Sequence, residues 1–278
     1  MAQKITRWQK FKKFLKRNMT PTWAKHFSYQ VISFLISVAL VAGVAKYAIT
    51  KSYDERTLRF VEGFTITAHT GSFDTPENSL ESVKAAINNN VDIIEFDIRQ
   101  RPNGTLVINH DIVVTNNEGV LLSDVFKLLK DADCKINLDI KETRTLNALH
   151  DMLVEYNLLS RAFLTGIDQL NVKAVKESAC ADMDYYLNCQ PSRLKIFGED
   201  YQNKILALLE ETGAVGVNCN YKYAGGKLSD VLHENGYLLS VWTVNKKTDM
   251  KRVLVLQPDN ITTKQYDLLI SVIDNWGE

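Results

Sequence analysis

The chain has 278 residues, with 33 Lys and Arg against 33 Asp and Glu and 45% hydrophobic residues. That length admits one large domain of the α/β-barrel class or two small ones. A net charge of zero lacks the basic excess that nucleic-acid binders show, so no nucleic-acid partner is expected.

The neutrality hides an asymmetry. Residues 1–26 hold Lys4, Arg7, Lys10, Lys12, Lys13, Lys16, Arg17 and Lys25 and no acid. Phe27 to Ala45 then carry no charge and are rich in Val, Ile, Leu, Phe and Ala. As a helix this stretch reaches about 28 Å, close to the thickness of a hydrocarbon core. We read 1–26 as a basic cytoplasmic leader and 27–49 as a transmembrane helix. The basic block outweighs Lys46, Lys51, Arg56 and Arg59 beyond the span, so the positive-inside rule puts the N-terminus in the cytoplasm and the rest outside the cell membrane. A cleaved signal peptide is the rival reading, because Ala42-Gly43-Val44-Ala45 resembles a small-residue cleavage site; the long leader and long apolar run favour a single-pass anchor. Four cysteines, Cys134, Cys180, Cys189 and Cys219, include no Cys-x-x-Cys pair, so zinc is not expected and buried free thiols are the default.

Residues 50–62 read as a short polar linker and 63–278 as one domain. Strands are predicted at 64–69, 93–100, 135–142, 161–167, 183–190, 214–221, 238–245 and 259–263. Helices fall between them, at 78–89, 122–132, 145–158, 169–178, 200–212, 227–235 and 248–256, with a last one at 266–276. Asn78 is the expected N-cap of the first of these, and Gly213 and Gly236 fit C-terminal stops. Alternation of this kind predicts an α/β fold, a (β/α)8 TIM barrel preceded by one transmembrane helix. A doubly wound open sheet would need a Gly-rich first turn, and no Gly-x-Gly-x-x-Gly is present.

In such a barrel, function collects where strands end. His69 ends the first strand. Glu95 and Asp97 alternate on the second and so face one side, about 7 Å apart along the backbone. His110 lies in the loop that follows, Asp139 and Lys141 share a face of the third strand, and Trp242 and Asn245 end the seventh. Taken singly, each has an ordinary explanation: a salt-bridged rim, satisfied core histidines, an Asp139–Lys141 pair, a packed indole.

Taken in order, the fragments His69-Thr70-Gly71, Pro76-Glu77-Asn78, Glu95-Phe96-Asp97, His110-Asp111, Asp139-Ile140-Lys141 and Trp242-Thr243-Val244-Asn245 resemble the glycerophosphodiester phosphodiesterases, over about Phe64 to Gln265. The resemblance implies that His69 and His110 are the acid–base pair and that Glu95, Asp97 and Asp139 bind a metal. Lys141 would contact the phosphate and Trp242 would line the substrate. Three carboxylates with no thiolate make a hard oxygen site, suited to Mg²⁺ or Ca²⁺. Two departures stand out. Thr70 replaces the usual Arg, as in the related spider-venom-type phospholipase D barrels, and Lys264 replaces the Asp of a common Thr-Asp; Lys264 is expected to supply the missing charge. The inserted cap of many glycerol-diester enzymes is not evident, which suits lysophospholipase D-like action on larger lipid or polymer phosphodiesters. The expected protein is therefore a monomeric, anchored phosphodiesterase acting on a small-molecule or lipid phosphodiester. The alternative is a non-catalytic barrel that binds lipid headgroups or wall polymer.

Overall fold

A computed structural model describes residues 7–18 and 20–277. The chain divides into a unit ending at Ser52 and a unit beginning at Tyr53.

The first unit is helical. Helix α1 spans Arg7–Asn18 and α2 spans Pro21–Asp54. Thr20 caps α2 by accepting the Trp23 N–H at 3.1 Å, and Pro21 takes the first helical position, where its missing N–H costs nothing. α2 is long and apolar enough to cross a membrane, and none of its described residues is buried. It starts six residues before the predicted span and ends five after it. Residues 50–54, read above as the start of a linker, contain no Gly or Pro and continue the helix, and the second unit begins at Tyr53.

The second unit is the barrel. Eight parallel strands close it: β1 Thr65–Ala68, β2 Ile93–Gln100, β5 Lys135–Ile140, β6 Ala162–Ile167, β7 Tyr185–Asn188, β8 Gly216–Asn220, β9 Leu238–Trp242 and β10 Asn260–Thr263. Closure comes from β1, which pairs with β10 on one side and β2 on the other. Helices α3 Leu80–Asn88, α4 Leu122–Leu129, α5 Leu146–Glu155, α6 Val172–Lys176, α7 Glu199–Thr212, α8 Gly226–Glu234, α9 Lys247–Leu254 and α10 Tyr266–Asp274 return the chain between strands or end it. The alternation on β2 shows how the sequence sorts itself. Ile94, Phe96 and Ile98 join the apolar core, while Glu95 and Asp97 face the other way. α7 stops at Gly213 in the left-handed conformation that glycine tolerates best.

Two features were not in the sequence-based reading. After β2 the chain makes an antiparallel excursion, β3 Leu106–Ile108 and β4 Val120–Leu121, before α4. The N-cap of α3 is Ser79, whose hydroxyl accepts the Ser82 N–H, and not Asn78. All four cysteines are free, as expected.

Candidate active site

The site is built where β1 stops short. β1 ends with Ala68 beside Ile94, so β2 runs on past it. The loop from His69 to Asn78 crosses that open stretch and satisfies it with side chains. Asn78 accepts the Asp97 N–H at 3.0 Å through Oδ1 and donates from Nδ2 to Asp97 Oδ2 at 2.7 Å. It thus replaces the missing strand partner and orients the carboxylate in one stroke. The Thr70 N–H donates to Glu95 Oε2 at 2.9 Å, and the Thr70 hydroxyl accepts the Asn78 N–H. Thr70, which stands where the resemblance implies an arginine, is therefore buried and holds the loop.

Register does the rest. β2 and β5 place Asp97 beside Asp139 and Glu95 beside Asn137. Glu95, Asp97 and Asp139 each bring a carboxylate oxygen within 4.8 Å of the others. Lys141, two residues past Asp139 on the same face, lies 2.8 Å from Asp97 Oδ1 and 2.6 Å from Asp139 Oδ2. Beyond Thr165 the β6 strand is irregular, and Gly166 adopts φ +76° there. A Cβ on Gly166 would fall 2.3 Å from Asp139 Oδ1, so only a glycine leaves room for that carboxylate.

The electrostatics of the trio are unbalanced. Burial, with Asp97 and Asp139 nearby, pushes Glu95 up to about 7 against the pull of His69 and the Thr70 N–H. Burial also raises Asp139, against Lys141. Asp97 is buried too, but Lys141 and the hydrogen bonds from Lys141 and Asn78 outweigh that and hold it below the usual carboxylate range. Lys141 is itself desolvated, yet its two carboxylates raise it. Three carboxylates around one lysine leave negative charge that a divalent cation would offset. The donors are all hard oxygens, so Glu95, Asp97 and Asp139 fit such an ion.

The histidines frame this centre. His69 Nδ1 lies 2.9 Å from the Thr70 carbonyl oxygen and 3.7 Å from Glu95 Oε2. A carbonyl oxygen only accepts, so Nδ1 carries a proton. His110 is 64% exposed, with Nδ1 2.9 Å from Asp111 Oδ1. The Arg99 guanidinium donates to the His110 carbonyl oxygen and pairs with Glu142, fixing the loop.

One open cavity of about 650 Å³ is lined by His69, His110, Glu95, Asp97, Asp139 and Lys141, and equally by Trp242 and Lys264. Every residue selected from the sequence thus reaches the same cavity. Lys264 is not a lone cation, however: its Nζ pairs with Glu77, which also lines the cavity. Trp242 is half-buried, and its indole N–H has no partner among the described residues. Sequence reasoning missed Asn137, Thr165 and Asn188, which line the floor, and missed the role of Asn78. Asn218 also lines the cavity, donating to Asn188 Oδ1. Asn220, two residues on, accepts the Lys222 N–H in the following turn.

Comparison with known proteins agrees with this layout. Residues 69–120 match the Glycerophosphoryl diester phosphodiesterase family. A glycerophosphodiester phosphodiesterase of Caldanaerobacter subterraneus subsp. tengcongensis is 27% identical over 254 residues, covering 76% of this chain and 98% of the relative. Among solved structures, a glycerophosphodiester phosphodiesterase from Parabacteroides distasonis superposes with a TM-score of 0.62 at 16% identity, covering 78% of this chain and 99% of its own. An Oleispira antarctica phosphodiesterase in complex with the product sn-glycerol-3-phosphate gives 0.59 at 16% identity, covering 78% and 98%. At such identities the structures establish the shared fold. The matched segment carries His69, Glu95, Asp97 and His110, so the chain is similar to the glycerophosphodiester phosphodiesterases in the stretch that builds much of the site, and its fold is a TIM barrel preceded in the chain by a single apolar helix.

Proposed function

We propose that the protein is a membrane-anchored, metal-dependent phosphodiesterase that hydrolyses glycerophosphodiesters to glycerol phosphate and an alcohol. The observation that carries this reading is the single cavity lined by three carboxylates, two imidazoles and Lys141. The charge distribution around α2 supports a cytoplasmic N-terminus and a barrel outside the membrane. The glycerol phosphate bound by the Oleispira relative supports the product.

A Mg²⁺ or Ca²⁺ ion held by Glu95, Asp97 and Asp139 would stabilise negative charge on a non-bridging phosphate oxygen. Lys141 binds the same phosphate from beside Asp97 and Asp139. His69 and His110 act as the acid–base pair. One takes the proton of the attacking hydroxyl as the new P–O bond forms; the other protonates the alkoxide as the old P–O bond breaks. With Nδ1 turned to the Thr70 carbonyl oxygen, Nε2 is the nitrogen that His69 would offer to the substrate. The substrate's own neighbouring hydroxyl is the nearest nucleophile and would give a cyclic phosphate, which water then opens with the two imidazoles exchanging roles. Trp242 packs against the alcohol-bearing glycerol. Lys264 reaches substrate only by sharing its charge with Glu77, so Lys264→Ala should raise KM a few-fold with kcat little changed; unchanged kinetics would remove it from the site.

The test uses the full chain in nanodiscs with soluble glycerophosphodiesters and lysophospholipids. EDTA and His69→Ala should each lower turnover by at least about 100-fold. Activity indifferent to both would overturn the mechanism. Absence of hydrolysis on every diester would leave a headgroup- or polymer-binding barrel.

A further inference from the structure

Three of the connections at the cavity end of the barrel carry highly exposed apolar side chains. Among the described residues of the barrel, the five most exposed large apolar side chains are Ile112, Val114, Leu170, Leu194 and Phe197, at 69 to 88% exposure. All five lie in loops that leave the cavity end of the strands. Ile112 and Val114 follow His110, Leu170 precedes the cavity-lining Asn171 after β6, and Leu194 and Phe197 follow β7. The connections at the opposite end hold none of the five. Exposed apolar residues are ordinary when scattered; confined to one end of a barrel they mark a surface that meets something apolar.

The presentation is built. Asp168 Oδ1 accepts the Leu170 and Asn171 N–H groups, folding the turn that lifts Leu170 outward. In the loop after β7, Ile196 is buried and its carbonyl oxygen accepts from Gln202, while the Tyr201 hydroxyl accepts the Ser192 N–H. The buried Ile196 pins a short helical turn whose outer side is left to Leu194 and Phe197.

Charge narrows the partner. Residues 189–198 contain Arg193 and Lys195 and no acid, and the next loop at this end of the barrel, 221–225, contains Lys222 and no acid. A soluble polyanion would call for the cations but not for exposed Leu and Phe. Apolar side chains interleaved with Lys and Arg are the composition that binds an anionic bilayer interface. The same chain carries a helix able to enter a bilayer.

We propose that the mouth of the barrel is a bilayer-docking surface. Leu170, Leu194 and Phe197 enter the boundary between headgroups and acyl chains, and Arg193, Lys195 and Lys222 meet anionic headgroups. The cavity then receives a lipid phosphodiester directly from the membrane surface. The choice of substrate rests on the phosphodiesterase reading above; the docking does not.

Two readouts on the full chain keep these apart. The first is a spin label at Leu194→Cys in phosphatidylcholine nanodiscs with or without phosphatidylglycerol, with the exposed α3 position Lys84→Cys as control. The label at 194 should become more accessible to oxygen than to a water-soluble relaxing agent when phosphatidylglycerol is present, the label at 84 should not, and Arg193→Glu with Lys195→Glu should abolish the difference. A label at 194 as water-exposed as that at 84 overturns the proposal, whether or not the protein hydrolyses anything. The second readout is turnover. Leu194→Ser with Phe197→Ser should lose at least tenfold on lysophosphatidylglycerol in the disc and nothing on soluble glycerophosphocholine. Equal loss on both, or loss on soluble poly(glycerol phosphate), overturns it. A wild-type protein inert on every diester, with the label at 194 in the bilayer, would uphold docking and defeat only the phosphodiesterase reading.

Discussion

Glu95 is buried beside two other carboxylates, and burial is the main reason its pKa rises from 4.5 to about 7. A carboxyl whose folded-state value is raised stabilises the fold while protonated. That stability is complete below the unfolded value of 4.5 and is lost as pH climbs to about 7. The gap corresponds to on the order of 3 kcal/mol. The metal-free protein should therefore melt progressively lower from pH 4.5 to 7, and Glu95→Gln should remove that slope and raise the melting temperature above pH 7. The same substitution should weaken cation binding, and cation binding below pH 7 should release a proton, read by calorimetry in buffers of different ionisation enthalpy. A flat melting profile, or cation binding without proton release, would contradict the position assigned to Glu95. Asn78 carries a second prediction. Because it holds both the N–H and the carboxylate of Asp97, Asn78→Ala should cost about 1–3 kcal/mol of stability and about 10–100-fold in cation affinity. Unchanged affinity would make it a loop residue only. Asn78 was misassigned from sequence for a physical reason. Pro76-Glu77-Asn78-Ser79 offers two good capping residues in succession, and only the early end of β1 decides which one caps α3 and which one turns inward.

At the scale of the element, the bulge in β6 is where strand geometry meets chemistry. Gly166 sits beside Asp139 with no room for a methyl group, and its φ is one that alanine resists. Gly166→Ala should shift the Asp139 carboxylate, weaken divalent-cation binding by at least about tenfold and lower stability by on the order of 1–3 kcal/mol. Tight cation binding by this variant would show that Asp139 is not a ligand. The eight barrel strands were legible from sequence because short stretches rich in β-branched, aromatic and other apolar residues alternate with helix-patterned segments along the chain. Glu95 and Asp97 were legible because a strand repeats every second residue. The β3–β4 excursion was not, since strands of three and two residues are shorter than any period can reveal, although Pro102-Asn103-Gly104 marked the turn between β2 and β3. Asn137, Thr165 and Asn188 were unreadable for another reason. A polar residue inside a strand is a cavity floor or a buried hydrogen-bond pair according to its neighbours on adjacent strands, and that register is a property of the closed barrel.

At the scale of the whole molecule, the barrel unit begins at Tyr53, before its first strand. Asp54, the last residue of α2, pairs with Lys251 on α9, and Lys251 is 4% exposed. The indole N–H of Trp276 donates to the Arg56 carbonyl oxygen at 2.8 Å. Residues 53–56 are thus part of the barrel's own packing, although their polar composition reads as a spacer. A buried ammonium that loses its carboxylate partner costs on the order of 3–5 kcal/mol. In a domain of this size each kcal/mol moves the melting temperature by about 2–4 °C. Removing residues 1–52 should therefore yield a soluble barrel that melts within a few degrees of the full chain and keeps its turnover of soluble glycerophosphodiesters. Asp54→Asn in the full chain should lower the melting temperature by roughly 6–20 °C, and Lys251→Met should restore much of that loss by removing the orphaned charge. If Asp54→Asn melts with the wild type, the segment is the passive tether its sequence suggests, and the barrel's stability begins only at β1.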